Sequence, residues 1–212
     1  MLNAAEVRVL GSLVEKEMAT PEYYPLTLNA LVNACNQKSN RDPAVSYSED
    51  TVAEAIDCLR EKKMAAVITG AGMRVPKYRE TLSETLNLGR RELAILCELM
   101  LRGPQTVGEL RDRAGRLHPF SDLEEVESVL RRLMEWQPEP LVTRLPRLPG
   151  AKDLRNAHLL SGPPAVAQPA AAAPETTERT GRLAALEAEV RELREEVRAL
   201  RSEIQKFRAQ FE

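Results

Sequence analysis

A pattern of three amphipathic helices occurs twice in this chain and constrains its fold more than any other feature. In each helix the apolar residues recur at spacings of three and four, which places them on one stripe of an α-helix. The three helices return in the second copy at offsets of 86, 79 and 74 residues. Matching positions are Leu10 with Leu96, Thr27 with Thr106, and Ile56 with Leu130.

Each copy then continues into a segment that reads as a β-hairpin. In the first copy this segment is MAAVITG and MRVPKYR around a turn at residues 70–72, and in the second it is LVTRLPRLPGAKDLRNAHLL. Pro76 has no N–H to donate, so we expect its strand to lie at a sheet edge. Three helices followed by a hairpin is the order of a winged-helix domain. We therefore predict a mainly α (α+β) chain with two tandem winged-helix domains, residues 1–84 and 85–161.

Helix starts are marked by capping residues. Asn3 with Glu6, Thr106 with Glu109, and Ser121 with Glu124 have capping-box spacing, and Thr27 is a favourable N-cap. These signals predict a first helix over 4–18 and a third helix over 49–63.

The connection between the second and third helices of the first copy is long and polar. It begins with NQKSNRDP, residues 36–43, and Pro43 disfavours helix at the residue before it. Two interpretations stay open. The loop is a recognition surface, or its Asn, Asp and Ser side chains bond its own backbone.

The C-terminal part of the chain differs in composition from the two copies. Residues 162–181 are rich in Ala and Pro and predict a flexible linker. Residues 182–212 carry an unbroken heptad pattern, with Glu at g positions and Arg at e positions, which predicts a parallel coiled-coil homodimer. The predicted dimer contacts are Leu183, Leu186, Val190, Leu193, Val197, Leu200, Ile204 and Phe207.

Composition excludes several classes of protein. The net charge of −2 gives no global attraction to nucleic acid, and no apolar run is long enough to cross a membrane. The N-terminus reads as an amphipathic helix and not as a signal peptide. Three cysteines without a C-x-x-C pair indicate reduced thiols, so we expect a cytoplasmic protein.

Residue types that carry chemistry are few. His118 and His158 have no cysteine or carboxylate at metal-ligand spacing, and we interpret both as ordinary surface or half-buried residues. Cys35 is either a nucleophile or, as its place on a helical stripe favours, a core residue. The sequence contains no Gly-rich phosphate loop, G-x-S-x-G or H-E-x-x-H motif. We expect no catalytic activity, metal or cofactor.

Charge is unevenly distributed over the two copies. The third helix has a net charge of −3 in each copy, over residues 49–60 and 122–135, which opposes docking in a DNA major groove. Arginines near a wing also serve simply to solvate a sheet edge. The predicted phosphate contacts are Lys38 and Arg41 in the polar loop, Arg74, Lys77 and Arg79 on the first wing, and Arg144 and Arg147 on the second.

The segments EVRVLGSLVEKEMATPEYYPLTLNALVNACNQKSNRDP, SEDTVAEAIDCL, RELAILCELMLRGPQTVGELRDRA and FSDLEEVESVL resemble the bacterial YceH family. The similarity spans residues 3–162 and is most specific in ACNQKSNRDP. The resemblance implies two tandem winged-helix domains and a Gram-negative-type cytoplasm. It implies no activity and no site residues, because the function of that family is unknown.

Two functions follow from these observations. The first is a non-enzymatic dimeric regulator that binds double-stranded DNA weakly, through wings and the second helix. The second is an adaptor whose acidic third helix and 36–43 loop bind a basic protein partner.

Overall fold

The computed structural model describes residues 1–70, 74–147, 150 and 153–163. Its helices are α1 (Ala4–Ala19), α2 (Leu28–Cys35), α3 (Glu49–Glu61), α4 (Leu82–Thr85), α5 (Arg90–Arg102), α6 (Val107–Ala114) and α7 (Leu123–Met134). Its strands are β1 (Leu26–Thr27), β2 (Ala65–Ile68), β3 (Lys77–Glu80), β4 (Val142–Arg144) and β5 (Asn156–His158). The chain is thus mainly helical with small antiparallel sheets, and the predicted linker and coiled coil lie outside the described residues.

The element order repeats along the chain. Helices α1, α2 and α3 precede the antiparallel pair β2–β3, and α5, α6 and α7 precede the antiparallel pair β4–β5. The repeat extends to a short strand contact before the second helix of each copy. Leu26 pairs with Tyr78 in the first copy, and Gln105 forms a bridge to Asn156 in the second.

The sheet of the first copy corrects one prediction. Its strand order is β1-β3-β2, so β3 is the central strand and not an edge. Pro76 is tolerated because β3 begins at Lys77, one residue later, and the missing N–H is not needed in the ladder. Sequence reasoning missed the partner because β1 contains only two residues.

Helix starts follow the capping signals with one exception. The boxes at Asn3 and Thr106 form as predicted, and Thr27 accepts a hydrogen bond from the Ala30 N–H. The predicted box at Ser121 is wrong. Asp122 caps α7 by accepting from the Glu125 N–H at 2.8 Å, while the Ser121 N–H donates to the Glu125 carboxylate.

Helices α1 and α5 form the centre of the described unit. Every residue over 6–15 of α1 and over 92–101 of α5 is buried, so both helices are covered on all sides. Their closest approach is at Gly11, where an added Cβ would lie 3.1 Å from the Met100 Cβ. The two copies therefore share one hydrophobic core within the compact unit Met1–Val166.

Candidate nucleic-acid interface

The first strand pair carries three of the predicted phosphate contacts. Arg74 is exposed just before β3, and Lys77 is half-buried at its first position. Neither has an ion-pair partner among the described residues. Arg79 differs, because its guanidinium pairs with the Glu84 carboxylate at 2.7 Å, and that hydrogen bond raises the pKa of Arg79. Arg74 and Lys77 are thus the cations of this strand pair that remain open to a phosphate.

The second strand pair presents a matching set. Arg144 ends β4, Arg147 lies three residues further on, and both side chains are exposed. In the described part of the chain neither is paired with a carboxylate. Arg155, before β5, instead pairs with Glu109 at 3.5 Å and donates to the Pro104 carbonyl at 2.7 Å. Each strand pair therefore carries two cations without an acidic partner.

The third helices present the opposite charge. On α3 the side chains of Glu49, Asp50, Glu54 and Asp57 are exposed, and Asp57 pairs with Arg60 at 2.7 Å. On α7, Asp122, Glu124 and Glu127 are exposed. These faces repel phosphate, so an interface with DNA excludes the major-groove docking usual for a third helix.

The polar loop is committed to internal contacts. The Asn36 side chain bonds both backbone groups of Tyr47, at 2.8 and 2.7 Å. Asn40 accepts a hydrogen bond from Arg102 of the second copy, and the Asp42 N–H donates to the Leu101 carbonyl at 2.9 Å. Of the two interpretations of this loop, the structure supports the one with internally bonded polar groups. Its Lys38 side chain remains exposed.

Arg41 is the predicted phosphate contact that the structure contradicts. Its side chain is fully buried, and its guanidinium forms two hydrogen bonds to the Glu15 carboxylate, at 3.1 and 2.5 Å. It also donates to the Ala34 carbonyl at 2.9 Å. A buried, bidentate arginine has no face left for DNA, so Arg41 stabilises the fold instead.

The Glu15–Arg41 pair belongs to a charge network that joins the two copies. Arg116, which follows α6, pairs with Glu15 of α1 at 2.7 Å and with Glu98 of α5 at 2.8 Å. Arg102 pairs with Glu98 at 3.2 Å. Burial raises the pKa of Glu15, but hydrogen bonds from Arg41 and Arg116 outweigh it, so the net pKa lies below the ordinary value. The network holds α1, α5 and the polar loop in one arrangement.

A second buried charge motif occurs once in each copy. Glu6 near the start of α1 pairs with Lys62 after α3 at 2.7 Å, and Glu92 near the start of α5 pairs with Arg132 of α7 at 3.0 Å. Both pairs join the first and third helix of one copy. The repeat is therefore electrostatic as well as apolar.

The remaining reactive side chains are placed as the bland interpretation expects. Cys35 and Cys97 are buried in the core, and burial raises the pKa of Cys35 to about 11, which disfavours a nucleophilic thiolate. His118 lies 3.9 Å from Glu125, and burial lowers the pKa of His158. Among the described residues no three His, Cys, Asp or Glu side chains cluster as metal ligands. The helices in the described ranges are also too short or too polar to cross a membrane.

Sequence reasoning missed two buried charged residues of α1, Arg8 and Glu17. Arg8 is 4% exposed and donates to the Pro43 carbonyl at 2.6 Å, and one oxygen of Glu17 is buried without a hydrogen-bond partner among the described residues. The available signal was the position of several charged residues within a helix whose pattern is otherwise apolar. The predicted dimer contacts from Leu183 to Phe207 lie outside the described residues.

Comparison with known proteins gives consistent results. A family profile described as "Protein of unknown function, DUF480" matches residues 2–151. A UPF0502 protein of Geobacter sulfurreducens is 56% identical over 218 aligned positions, which cover 100% of this chain and 99% of the relative. A UPF0502 protein of Geotalea uraniireducens is 57% identical over 195 positions, covering 89% and 88%. The repeated helices, the ACNQKSNRDP segment and these matches together confirm the resemblance stated from the sequence: the chain belongs to the DUF480 family, whose bacterial UPF0502 members are of unknown function.

Proposed function

We propose that this chain is a non-enzymatic, dimeric, DNA-associated regulatory protein with two tandem winged-helix domains. The winged-helix assignment is supported by the order of three helices and a strand pair, which occurs twice. The dimer rests on the heptad pattern of residues 183–211. Each dimer would present four strand pairs to DNA.

The observation that carries the proposal is the set of cations on the strand pairs. Arg74 and Lys77 on the first pair, and Arg144 and Arg147 on the second, lack carboxylate partners in the described part of the chain. Elsewhere in the same unit Arg41, Arg79 and Arg116 are paired with acids. Cations left unpaired can neutralise DNA phosphates, which is the main source of sequence-independent affinity. The wings, and not the acidic third helices, would contact the duplex.

Salt-dependent binding to a labelled 30-base-pair duplex tests this function. We expect the full-length protein to bind more weakly as KCl rises. Arg74→Ala with Lys77→Ala, and Arg144→Ala with Arg147→Ala, should each weaken binding and reduce the slope of log K against log[KCl] by about 2, roughly one per lost phosphate contact.

A charge-matched control separates wing contacts from general electrostatic attraction. Arg90→Ala with Arg131→Ala removes two exposed arginines outside both strand pairs and should leave the slope unchanged. Glu54→Gln with Asp57→Gln should strengthen binding or leave it unchanged, because it removes repulsion from α3. An equal loss of slope in the control, or no binding by the full-length protein in 50 mM KCl, would contradict the proposal.

A second function, an adaptor for a basic protein, is favoured by one observation. Glu49, Asp50 and Glu54 of α3 are exposed and have no cation partner among the described residues. The 36–43 loop would add little to such a surface beyond Lys38, because its other polar groups are bonded internally. Partners retained after nuclease digestion, and lost on Glu49→Gln with Glu54→Gln, would favour this function over DNA binding.

A further inference from the structure

A cavity of about 410 Å³ lies between the two copies, away from the strand pairs. It is bounded by the first half of α1, residues 42–47, the end of α5 and residues 157–163. Much of its lining is apolar and includes Val7, Val45, Leu99 and Met100. Its volume is within the range of small-molecule pockets, roughly 300–1,000 Å³.

Arg8 gives this cavity a charged group. The Arg8 side chain lines the cavity, and its Nη2 atom donates to the Pro43 carbonyl at 2.6 Å. The other terminal nitrogen, Nη1, is buried and has no hydrogen-bond acceptor among the described residues. Burial, and then the positive charge of Arg41, lower the pKa of Arg8, so its surroundings do not favour the cation.

Other buried charges of this unit do not share that condition. Glu6, Glu15 and Glu98 each have a cation within 3.2 Å. Arg8, by contrast, has no carboxylate within ion-pair distance in the part of the chain that the structure describes. A buried charge without a counter-ion is costly, and an anion placed beside it recovers part of that cost. The missing group is therefore an anionic acceptor.

Two further residues narrow the kind of anion. His158 lines the cavity, and burial keeps it neutral; its Nδ1 atom has no partner among the described residues. Asp42, at the exposed edge of the cavity, is negatively charged and opposes a second negative charge. A single cation, a neutral imidazole and an apolar lining suit a monoanion with an apolar body better than a phosphate.

We propose that this cavity binds a small organic monocarboxylate. The carboxylate accepts hydrogen bonds from the Arg8 guanidinium, and the apolar body packs against Val7, Leu99 and Met100. Charge-assisted hydrogen bonds to an arginine supply orientation, and burial of the apolar body supplies affinity. The site is independent of the DNA interface proposed above, so either stands if the other fails.

Benzoate, with neutral benzamide as its isostere, tests the site in the full-length protein. The readout is the methyl resonance of Met100, assigned with Met100→Leu and followed by NMR during titration. We expect a saturable shift with benzoate at millimolar concentrations and at least about tenfold weaker binding of benzamide, which lacks the charge. No saturable shift up to 20 mM benzoate, equal affinity for both compounds, or tighter binding of inorganic phosphate would overturn the proposal.

Variants assign the binding to this cavity. Arg8→Met keeps an unbranched apolar stem but removes the cation, so benzoate should bind no more tightly than benzamide. Ser161→Trp, at an exposed position of the lining, should fill the cavity and abolish both interactions. Arg90→Met removes an exposed arginine outside the cavity and should bind benzoate as the unmodified chain does.

Circular dichroism checks the fold of each variant. If Arg8→Met does not fold, Ser161→Trp still tests the location, because its side chain lies at the surface. Benzoate binding that survives Ser161→Trp, or a preference for benzoate that survives Arg8→Met, would place the ligand elsewhere and overturn the inference.

Discussion

Single charged residues in α1 show how burial changes what a side chain does. Glu17 lies near Glu80, whose carboxylate is buried and accepts hydrogen bonds from the N–H and hydroxyl of Ser83, at 3.0 and 2.5 Å. Burial, and then the neighbouring Glu80 carboxyl, raise the pKa of Glu17 to about 7. Glu17 is therefore protonated in the folded protein under conditions where an ordinary glutamate is ionised.

This raised pKa predicts that folding stability depends on pH. The folded chain holds a proton on Glu17 that the unfolded chain releases, so its contribution to stability is present below about pH 4.5 and is lost as pH rises to about 7. Glu17→Gln removes the ionisation. We expect thermal unfolding of this variant to occur a few degrees higher than that of the unmodified chain at pH 8, with no such gain at pH 4.5.

Glu22→Gln provides the control for the pH experiment, because Glu22 is exposed on the same side of the sequence. It should change the unfolding temperature little at either pH. A Glu17→Gln variant that is less stable by the same amount at pH 4.5 and pH 8 would show that Glu17 acts through packing and not through its proton.

At the scale of elements, the crossing of α1 and α5 depends on a residue without a side chain. A Cβ added at Gly11 would lie 3.0 Å from the Leu101 Cδ2 atom and 3.1 Å from the Met100 Cβ atom. The Met100 Cβ is fixed to its helix backbone and cannot move aside. Gly11 therefore sets the closest distance between the two central helices.

Substitution of Gly11 by Val is expected to destabilise the protein by about 1–3 kcal/mol, because overpacking outweighs the small gain in helix propensity. Gly108 in α6 is the matched control, since a Cβ there meets nothing within 4 Å. Gly108→Ala should be neutral or more stable by up to about 1 kcal/mol. Urea unfolding measures both. A Gly11→Val variant as stable as the unmodified chain would mean that α5 shifts freely against α1.

At the scale of the whole molecule, the proposed function depends on dimerisation through residues 183–211. In a parallel dimer Glu189 faces Arg194, Glu196 faces Arg201, and Glu203 faces Arg208. An antiparallel pair would bring like charges together. Each exposed pair contributes at most about 1 kcal/mol, but all of them favour the same direction.

A cysteine at Val197, an a position, should crosslink to its own copy under mild oxidation. The experiment uses a Cys58→Ser background, because Cys35 and Cys97 are buried while Cys58 is half-buried. Ser202→Cys, at an outer f position of the heptad, should crosslink far less. Sedimentation of the full chain as a monomer at tens of micromolar would show that the heptads do not form a dimer.

Local signals were enough to predict the helical framework and its repeat. Helices α1 and α3 begin where the capping residues and apolar stripes predicted, and the boxes at Asn3 and Thr106 form. These features depend on residues within one or two turns of each other, which is information that the sequence itself carries. The predicted cations Arg74, Lys77, Arg144 and Arg147 lie on or beside the strand pairs for the same reason.

Only the tertiary structure decided which charged residues are buried and which elements meet. Arg41 stands among polar neighbours in the sequence, yet Glu15, 26 positions earlier, pairs with it in the interior. Pro76 precedes a central strand because two residues near Leu26 fold back to pair with β3. Arg8 reaches a cavity whose walls come from both copies. Such contacts join residues far apart in the chain, so their energies depend on packing that no local pattern encodes.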